Sequence, residues 1–275
     1  MHNIYYCITF VLSNKTDTDM KIVTIANNKG GVGKTTITYN LADQLAHRGF
    51  KVLCVDADPQ ANLSSYFGFD VNDDKLDTLF CSIVEHKKAV LHKFNENIDI
   101  IIGDQRLINL SKIIAEDPNY NLSPATIFNE ILSPLSLKYD ICLIDTKPSI
   151  DISVQNAFAA SNFVLIPITS GEMSFNGFLT VIDTIKYVKR INPNLKILGA
   201  VANMYNPRTL SSQELLSEFK GNEDLLFESK IRITEAVRFA ENNKMFFRLQ
   251  KRNYDLKIDF NKFVDEFELK TNLKK

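Results

Sequence analysis

Two lysines, three glycines and two threonines lie within eight residues near the start of the chain, in the stretch 29–36, which reads KGGVGKTT. In a glycine-rich turn of this kind, successive backbone N–H groups can converge on one anion. A lysine at its end supplies a cation for the outer phosphates of a nucleotide, and the threonine after it supplies a hydroxyl for Mg²⁺. The pattern therefore predicts a phosphate-binding loop, with Lys34 on the phosphates and Thr35 on the metal.

The segments on either side of this stretch are suited to position it. Residues 22–26 form an apolar run typical of a buried strand, and the apolar spacing of residues 37–47 predicts a helix. A strand, a glycine-rich turn and a helix in this order are the context that a phosphate loop requires. The helix start adds partial positive charge at the same point. An isolated glycine-rich turn is the alternative, and the Gly-Lys-Thr ending between a strand and a helix argues against it.

Carboxylates follow two further apolar runs. Asp56 and Asp58 come after residues 51–55, and Asp145 comes after residues 139–144. The carboxyl ends of parallel strands meet at one edge of a doubly wound sheet, where a phosphate loop also lies. Carboxylates at that edge can orient the water around Mg²⁺ or position an attacking water. For the first pair, a solvated Asp-Pro turn is the alternative.

The order of these motifs resembles the ParA/MinD class of ATPases, which have a deviant phosphate loop, and most of all its short, Soj-type partitioning members. The resemblance covers residues 20–252 and is strongest at the KGGVGKTT loop, the stretch Asp56-Ala57-Asp58-Pro59-Gln60 and the strand that ends in Asp145. It implies an α/β fold of the P-loop NTPase, SIMIBI type, with a doubly wound, mostly parallel sheet and helices on both faces. It also implies ATP and Mg²⁺ as cofactors and hydrolysis of ATP to ADP and phosphate.

The resemblance assigns roles to individual residues. Lys29 would reach the partner's ATP across a homodimer that forms on ATP binding, and Asp58 would position the attacking water. The expected catalytic residues are Lys29, Lys34 and Asp58, and the expected metal site is Thr35, Asp56 and Asp145. The expected ATP-binding residues are Lys29, Gly30, Gly31, Val32, Gly33, Lys34, Thr35, Thr36 and Asn203. For Asn203, an amide at the end of an apolar run could pair with adenine, and a turn built from Asn and Pro is the alternative.

Two positions depart from the family's pattern. Asn28 stands where the common loop has its first glycine, and Lys147 replaces a proline of the family's Thr-Pro-Pro-Ser second switch. Without that proline the backbone is less fixed, and a cation is added near the phosphate edge. Lys147 could change how switching couples to hydrolysis, or it could face solvent. The sequence leaves both open.

Basic residues are in excess near the end of the region of resemblance. Between residues 228 and 252, seven basic residues oppose three acidic ones, a local charge of +4, whereas the whole chain has a net charge of −1. Contact with a phosphate backbone requires charge and no reading of bases. The excess predicts non-specific DNA binding, with an ordinary solvated face as the alternative. The candidate DNA-binding residues are Arg208, Lys230, Arg232, Arg238 and Arg248.

The resemblance implies a DNA-partitioning protein whose ATP-bound dimer binds DNA and is released on hydrolysis, stimulated by a ParB-like centromere-binding partner. One alternative is a MinD-like regulator that cycles on a membrane, and another is a binding module that ATP switches, with incidental turnover. The apolar spacing of residues 256–269 predicts a helix with an acidic polar face, which anionic lipid would repel. We therefore expect this helix to dock on the core and the protein not to associate stably with membrane. Whether a plasmid or a chromosome is the cargo stays open.

Composition bounds these expectations. A chain of 275 residues with 45% hydrophobic and 24% charged residues is ordinary for a globular protein. Its four cysteines are far apart and form no CxxC pair, which favours a reducing cytosol over a disulfide framework or a zinc site. We expect one domain over residues 20–275, in the cytoplasm and associated with the nucleoid. Residues 1–19 are expected to be an extension, either a disordered arm or a mis-assigned start before Met20.

Overall fold

The computed structural model describes residues 20–73, 75–116, 126–250 and 254–275. The expectations for residues 1–19 lie outside the described residues. The division of the chain into an extension and one domain therefore stays a prediction.

Alternation of short apolar runs with amphipathic segments produces a strand-and-helix order along most of the described chain. The strands are β1 (Lys21–Ile25), β2 (Val52–Ala57), β3 (His92–Lys93), β4 (Ile98–Ile101), β5 (Ile141–Thr146), β6 (Phe163–Ile168), β7 (Lys196–Tyr205) and β8 (Leu226–Arg232). The helices are α1 (Lys34–His47), α2 (Asn62–Tyr66), α3 (Leu79–Val84), α4 (Leu110–Glu116), α5 (Ile127–Leu132), α6 (Ile152–Ala160), α7 (Glu172–Val188), α8 (Leu210–Ser217), α9 (Glu235–Asn242) and α10 (Tyr254–Thr271). Short 3₁₀ turns lie at Gln105–Asn109, Ser133–Leu135, Glu223–Leu225 and Phe247–Leu249.

In the described part of the chain the strands form one eight-stranded sheet in the order β3-β4-β2-β5-β1-β6-β7-β8. Every pairing is parallel except that of β3 with β4. The order reverses beside β1, so the loop after this strand lies at the switch point, where doubly wound sheets bind ligands. The predicted doubly wound, mostly parallel α/β fold is confirmed.

Three apolar clusters fill the two faces of the sheet. One face packs against α1 and α10, with side chains such as Leu41 and Phe263 fully buried. The opposite face packs against α3 to α5 on one half, around Phe128, and against α6 to α8 on the other, around Phe158. Because helices cover both faces, the central strands are apolar along nearly their whole length, as parallel strands require.

The C-terminal helix docks on the core, as its apolar spacing predicts. Its apolar residues Leu256, Phe260, Phe263, Val264 and Phe267 are buried. The ring of Phe263 lies 5.5 Å from that of Phe227 on β8. No helix among the described residues is long and apolar enough to cross a bilayer.

Two stretches differ from the sequence expectation. The sequence of residues 107–116 favours a single helix, whereas the structure has a 3₁₀ turn followed by the short helix α4. Asp104 caps the turn by accepting the backbone N–H of Arg106 at 2.7 Å. Strand β8 is not predicted from the sequence, since only Phe227 and Ile231 of its seven residues are fully buried.

Candidate functional site

The glycine-rich turn connects β1 to α1 at the carboxyl edge of the sheet. Gly31 and Gly33 have φ angles of 72° and 86°, and Gly33 is the residue that caps α1. Residues with a side chain rarely adopt this left-handed conformation. A Cβ atom on Gly33 would also lie 2.2 Å from Nδ2 of Asn203. Glycine at this position therefore satisfies both the backbone geometry and the close packing.

Lys34 and Thr35, the first two residues of α1, point into the edge of the sheet. The Lys34 side chain is buried, and its Nζ donates to the carbonyl of Lys29 at 3.4 Å. Burial lowers the pKa of Lys34, opposed by the nearby carboxylates of Asp145 and Asp58. The Thr35 hydroxyl donates to Oδ2 of Asp145 at 2.6 Å. The predicted loop and the predicted aspartate of β5 are thus brought together.

Asp56 and Asp145 lie side by side on the adjacent strands β2 and β5. Burial raises the pKa of Asp56 to about 6, even though its carboxylate accepts hydrogen bonds from the backbone and hydroxyl of Ser64. Burial, and then the charge of Asp56, raise the pKa of Asp145 well above its usual range. Two carboxylates in one buried site are costly to ionise together without a cation.

Magnesium fits this arrangement. Oδ1 of Asp145 is buried and has no hydrogen-bond partner among the described residues, so its lone pairs are free to bind a cation. With the neighbouring Thr35 hydroxyl it offers hard oxygen atoms, the ligands that Mg²⁺ prefers. Asp56 differs, because its oxygens already accept bonds from Ser64 and from the backbone N–H of Asp58. Asp56 is therefore placed to act on a metal's water shell rather than as a direct ligand.

A cavity of about 400 Å³ opens over the loop. Seven predicted site residues line it: Gly30, Gly31, Gly33, Lys34, Thr35, Thr36 and Asp58. Six further lining residues were not assigned to the site from the sequence: Gln60, Asn62, Tyr66, Pro148, Met204 and Glu241. Met204 lies near the end of β7 and Glu241 lies on α9, both far along the chain, where no motif marks them.

Asp58 lies at the wall of this cavity on a tight turn. Its Oδ1 accepts the backbone N–H of Gln60 at 2.9 Å, and its side chain is almost fully buried. Ala61, just after this turn, has a φ of 49°, an unusual conformation for a residue other than glycine. The turn therefore holds the carboxylate facing the loop, and the water-positioning role of Asp58 stays a prediction.

Asn203 lies beside the loop rather than in the wall of the cavity. Its Nδ2 donates to the carbonyl of Val32 at 2.9 Å, so the side chain braces the loop. The next residue, Met204, has a φ of 52° and lines the cavity. The adenine contact of Asn203 stays a prediction, and the brace is a second role that the sequence did not indicate.

Asn27 and Gly177 hold the start of the loop. The buried Asn27 accepts the backbone N–H of Lys29 at 2.8 Å and donates to the carbonyl of Pro167 at 2.8 Å. A Cβ atom on Gly177 of α7 would lie 2.3 Å from Oδ1 of Asn27. Helix α7 therefore approaches the Lys29 end of the loop as closely as a glycine permits.

Lys147 neither faces open solvent nor reaches the loop. Its Nζ lies 2.6 Å from Oδ2 of Asp151, and only 14% of its side chain is exposed. Asp151 caps α6 through the backbone N–H of Ser153 and also accepts the hydroxyl of Ser111. The lysine that replaces the family's proline thus ties the turn after β5 to the start of α6.

The net positive charge of the basic patch is smaller than the +4 counted from the sequence. Arg232 pairs with Asp259 at 2.6 Å, and Arg248 pairs with Asp43 at 2.9 Å. Both carboxylates lie outside the counted stretch, so the count overstates the local charge. Arg208 and Arg238 are exposed, and Lys230 lies 6.0 Å from the ring centre of Tyr205.

A family model described as an AAA domain (AAA_31) matches residues 20–197. The sporulation initiation inhibitor protein Soj of Bacillus subtilis is 31% identical over 73% of this chain and 79% of its own length. A plasmid partition protein of Borrelia burgdorferi bound to AMPPNP is 25% identical and superposes with a TM-score of 0.76, covering 91% of this chain and 99% of that one.

The chain belongs to the family of ParA-like P-loop ATPases. Two further solved structures share the fold of this ParA-like chain. The ATP complex of an McdA variant from Cyanothece has a TM-score of 0.81 at 24% identity, covering 93% of this chain and 98% of that one. Cobyrinic acid a,c-diamide synthase from Mycobacterium smegmatis, with a bound ATP analogue and magnesium, has a TM-score of 0.74 at 24% identity, covering 90% and 93%.

Proposed function

We propose that this ParA-like protein binds ATP and Mg²⁺ and hydrolyses the terminal phosphate. The observation that carries the proposal is the buried carboxylate of Asp145 beside the glycine-rich loop. One of its oxygens accepts a hydrogen bond from Thr35, and the other has no partner among the described residues. A cation shared with a nucleotide satisfies that oxygen and offsets the repulsion between Asp145 and Asp56. Solved relatives of the same fold hold ATP or its analogues, which supports the assignment.

In the proposed reaction the protein's own residues do most of the work. Lys34 and the backbone N–H groups of the loop hold the phosphates, and Lys29 of a second subunit adds a cation at the terminal phosphate. Asp58 positions the attacking water at the wall of the cavity. Magnesium, when bound beside Thr35 and Asp145, draws charge from the phosphate oxygens.

Two substitutions test the chemistry. Lys34→Ala removes the buried cation and is expected to abolish nucleotide binding or turnover, measured by calorimetry and phosphate release. Asp58→Ala is expected to retain ATP while turnover falls ~100-fold, the scale of lost base or water-positioning catalysis. Hydrolysis at the wild-type rate by Asp58→Ala would show that Asp58 does not position the water.

We further propose that the ATP-bound form is a homodimer that binds DNA without sequence preference and acts in DNA partitioning. Chromosome and plasmid partition proteins among the relatives support this, as do the exposed basic residues Arg208 and Arg238. A ParB-like partner that stimulates hydrolysis, and a cytoplasmic, nucleoid-associated location, belong to the same proposal. The few exposed cations imply weak, strongly salt-dependent binding.

Gel retardation of DNA tests this second proposal. Retardation is expected with ATP and not with ADP or without nucleotide, equally on unrelated sequences, and reduced at higher salt. Arg238→Ala is expected to weaken it, whereas Arg190→Ala, an exposed arginine on the turn after α7, is the matched control. Retardation that is the same with and without ATP, or no retardation under any condition, would overturn the DNA proposal. Neither outcome would contradict the ATPase proposal.

A further inference from the structure

A carboxylate from a distant helix lies in the wall of the nucleotide cavity. Glu241, in the last turn of α9, accepts the hydroxyl hydrogen of Thr36 at 2.5 Å between oxygen atoms. Both residues line the cavity together with Tyr66. In sequence Glu241 lies 205 residues after Thr36, and no motif marks it.

The position of Thr36 makes this contact unusual. Thr36 is the third residue of α1, in the first turn, where backbone N–H groups have no partner within the helix and the helix end has partial positive charge. Such a helix start attracts an anion. Lys34 and Thr35 serve the outer phosphates in the proposed function, so we expect Thr36, one residue further into the helix, to face the phosphate next to the nucleoside.

Glu241 is an anion at the place where a phosphate is expected. No lysine, arginine or histidine among the described residues forms an ion pair with it. Its negative charge would stand against the phosphate at close range, and the two groups would compete for the same hydroxyl. Like charges at this separation lower affinity even in a site open to water.

We infer that Glu241 sets the nucleotide affinity of the site by competing with the inner phosphate for Thr36. This inference rests on the proposed nucleotide binding. Nucleotide entry breaks the Thr36–Glu241 hydrogen bond, and the affinity is lower than the loop alone would give. The effect is the same for ADP and ATP, because both have the inner phosphate.

Glu241→Gln tests the inference, since glutamine keeps the size and hydrogen-bonding groups and removes the charge. Calorimetric titration with ADP–Mg²⁺ and AMPPNP–Mg²⁺ is expected to give a Kd about 5-fold lower or more for each, the size expected of one unit charge at ~4 Å in water. Glu241→Ala, which removes both the charge and the competing acceptor, is expected to tighten binding as well. Glu235→Gln, an exposed glutamate in the first turn of α9, makes the same change in net charge and is expected to leave Kd within about 2-fold.

The outcomes separate this inference from the function on which it rests. If the wild type binds nucleotide and Glu241→Gln binds it with the same or lower affinity, the inference about Glu241 is wrong. A lower affinity would make Glu241 a direct contact of the nucleoside. A gain confined to one nucleotide would also overturn the inference. No binding of either nucleotide by the wild type would overturn the proposed function and this inference together.

Discussion

At the scale of single residues, the site combines a buried lysine with two buried carboxylates that repel each other. Lys34, Asp56 and Asp145 are nearly or fully buried, and burial shifts each pKa toward the neutral form. Isolated buried charges are among the least favourable features of a folded protein. Their concentration where the start of α1 meets the ends of β2 and β5, with the oxygen of Asp145 that has no partner among the described residues, is typical of a site that is completed by charged ligands.

Lys147 shows how one departure from a family pattern is accommodated. A proline would restrict the turn after β5 through its ring. Here the Lys147–Asp151 ion pair connects the same turn to the start of α6. Burial alone would raise the pKa of Asp151, but hydrogen bonds from Lys147 and Ser153 lower it below its ordinary value.

Lys147→Met is therefore expected to destabilise the protein in a pH-dependent way. A carboxyl whose pKa is lowered by folding stabilises the folded state above its ordinary pKa, and this contribution is lost as the pH falls through the folded-state pKa. We expect a loss of ~1 kcal/mol at pH 7 for this partly buried pair, and a smaller loss at pH 3, below the ordinary pKa of an aspartate. Denaturant unfolding at both pH values measures it.

The exposed pair of Lys186 and Asp183 supplies the control for Lys147→Met. Both of its side chains are more than two-thirds exposed, so Lys186→Met is expected to change stability very little. Equal losses in the two variants, or a loss at Lys147 that persists undiminished at pH 3, would show that the ion pair with Asp151 does not hold the turn.

At the scale of elements, the sequence predicted the strands and helices that surround the loop, because their apolar runs are long and uninterrupted. Strand β1 is displaced by only one residue from its predicted run of 22–26, and α1 begins only three residues before its predicted start. Motif order also predicted which aspartates meet the loop. Local patterns could not show contacts that form between distant segments, such as Asn203 with Val32, or Glu241 with Thr36.

The contact between α7 and the loop gives a prediction at this scale. Gly177→Ala in an ordinary helix interior would stabilise a protein by ~1 kcal/mol. Here the added Cβ would lie 2.3 Å from Oδ1 of Asn27, which holds the backbone N–H of Lys29. We therefore expect the substitution to lower the free energy of unfolding and to weaken ATP binding, measured by denaturant titration and calorimetry.

A double-mutant cycle identifies the cause. Asn27→Ala removes the side chain that the new methyl group would strike, so Gly177→Ala is expected to become neutral or stabilising in that background. If the penalty of Gly177→Ala is the same with and without Asn27, it arises elsewhere along α7 and the close approach to the loop is not its source.

At the scale of the whole molecule, the sheet order concentrates the predicted site residues at one edge. The loop after β1, the turn after β2 and the end of β5 adjoin there because β1 and β2 both pair with β5. Lys29 differs from Lys34, which is buried beneath the loop, because its side chain is partly exposed and it does not line the cavity. A lysine so placed is available to a second copy of the chain.

Assembly is therefore expected to depend on Lys29 and on a trapped nucleotide. The Asp58→Ala protein, with ATP and Mg²⁺, is expected to elute at twice the mass of the nucleotide-free form in size-exclusion chromatography with light scattering. Adding Lys29→Ala is expected to return it to the single-chain mass, because the cation that would contact the partner's terminal phosphate is gone. Lys189→Ala, an exposed lysine after α7, removes the same charge away from the loop and is expected to leave the dimer intact. A single-chain mass for Asp58→Ala, with ATP shown by calorimetry to be bound, would contradict a dimer that shares its nucleotides.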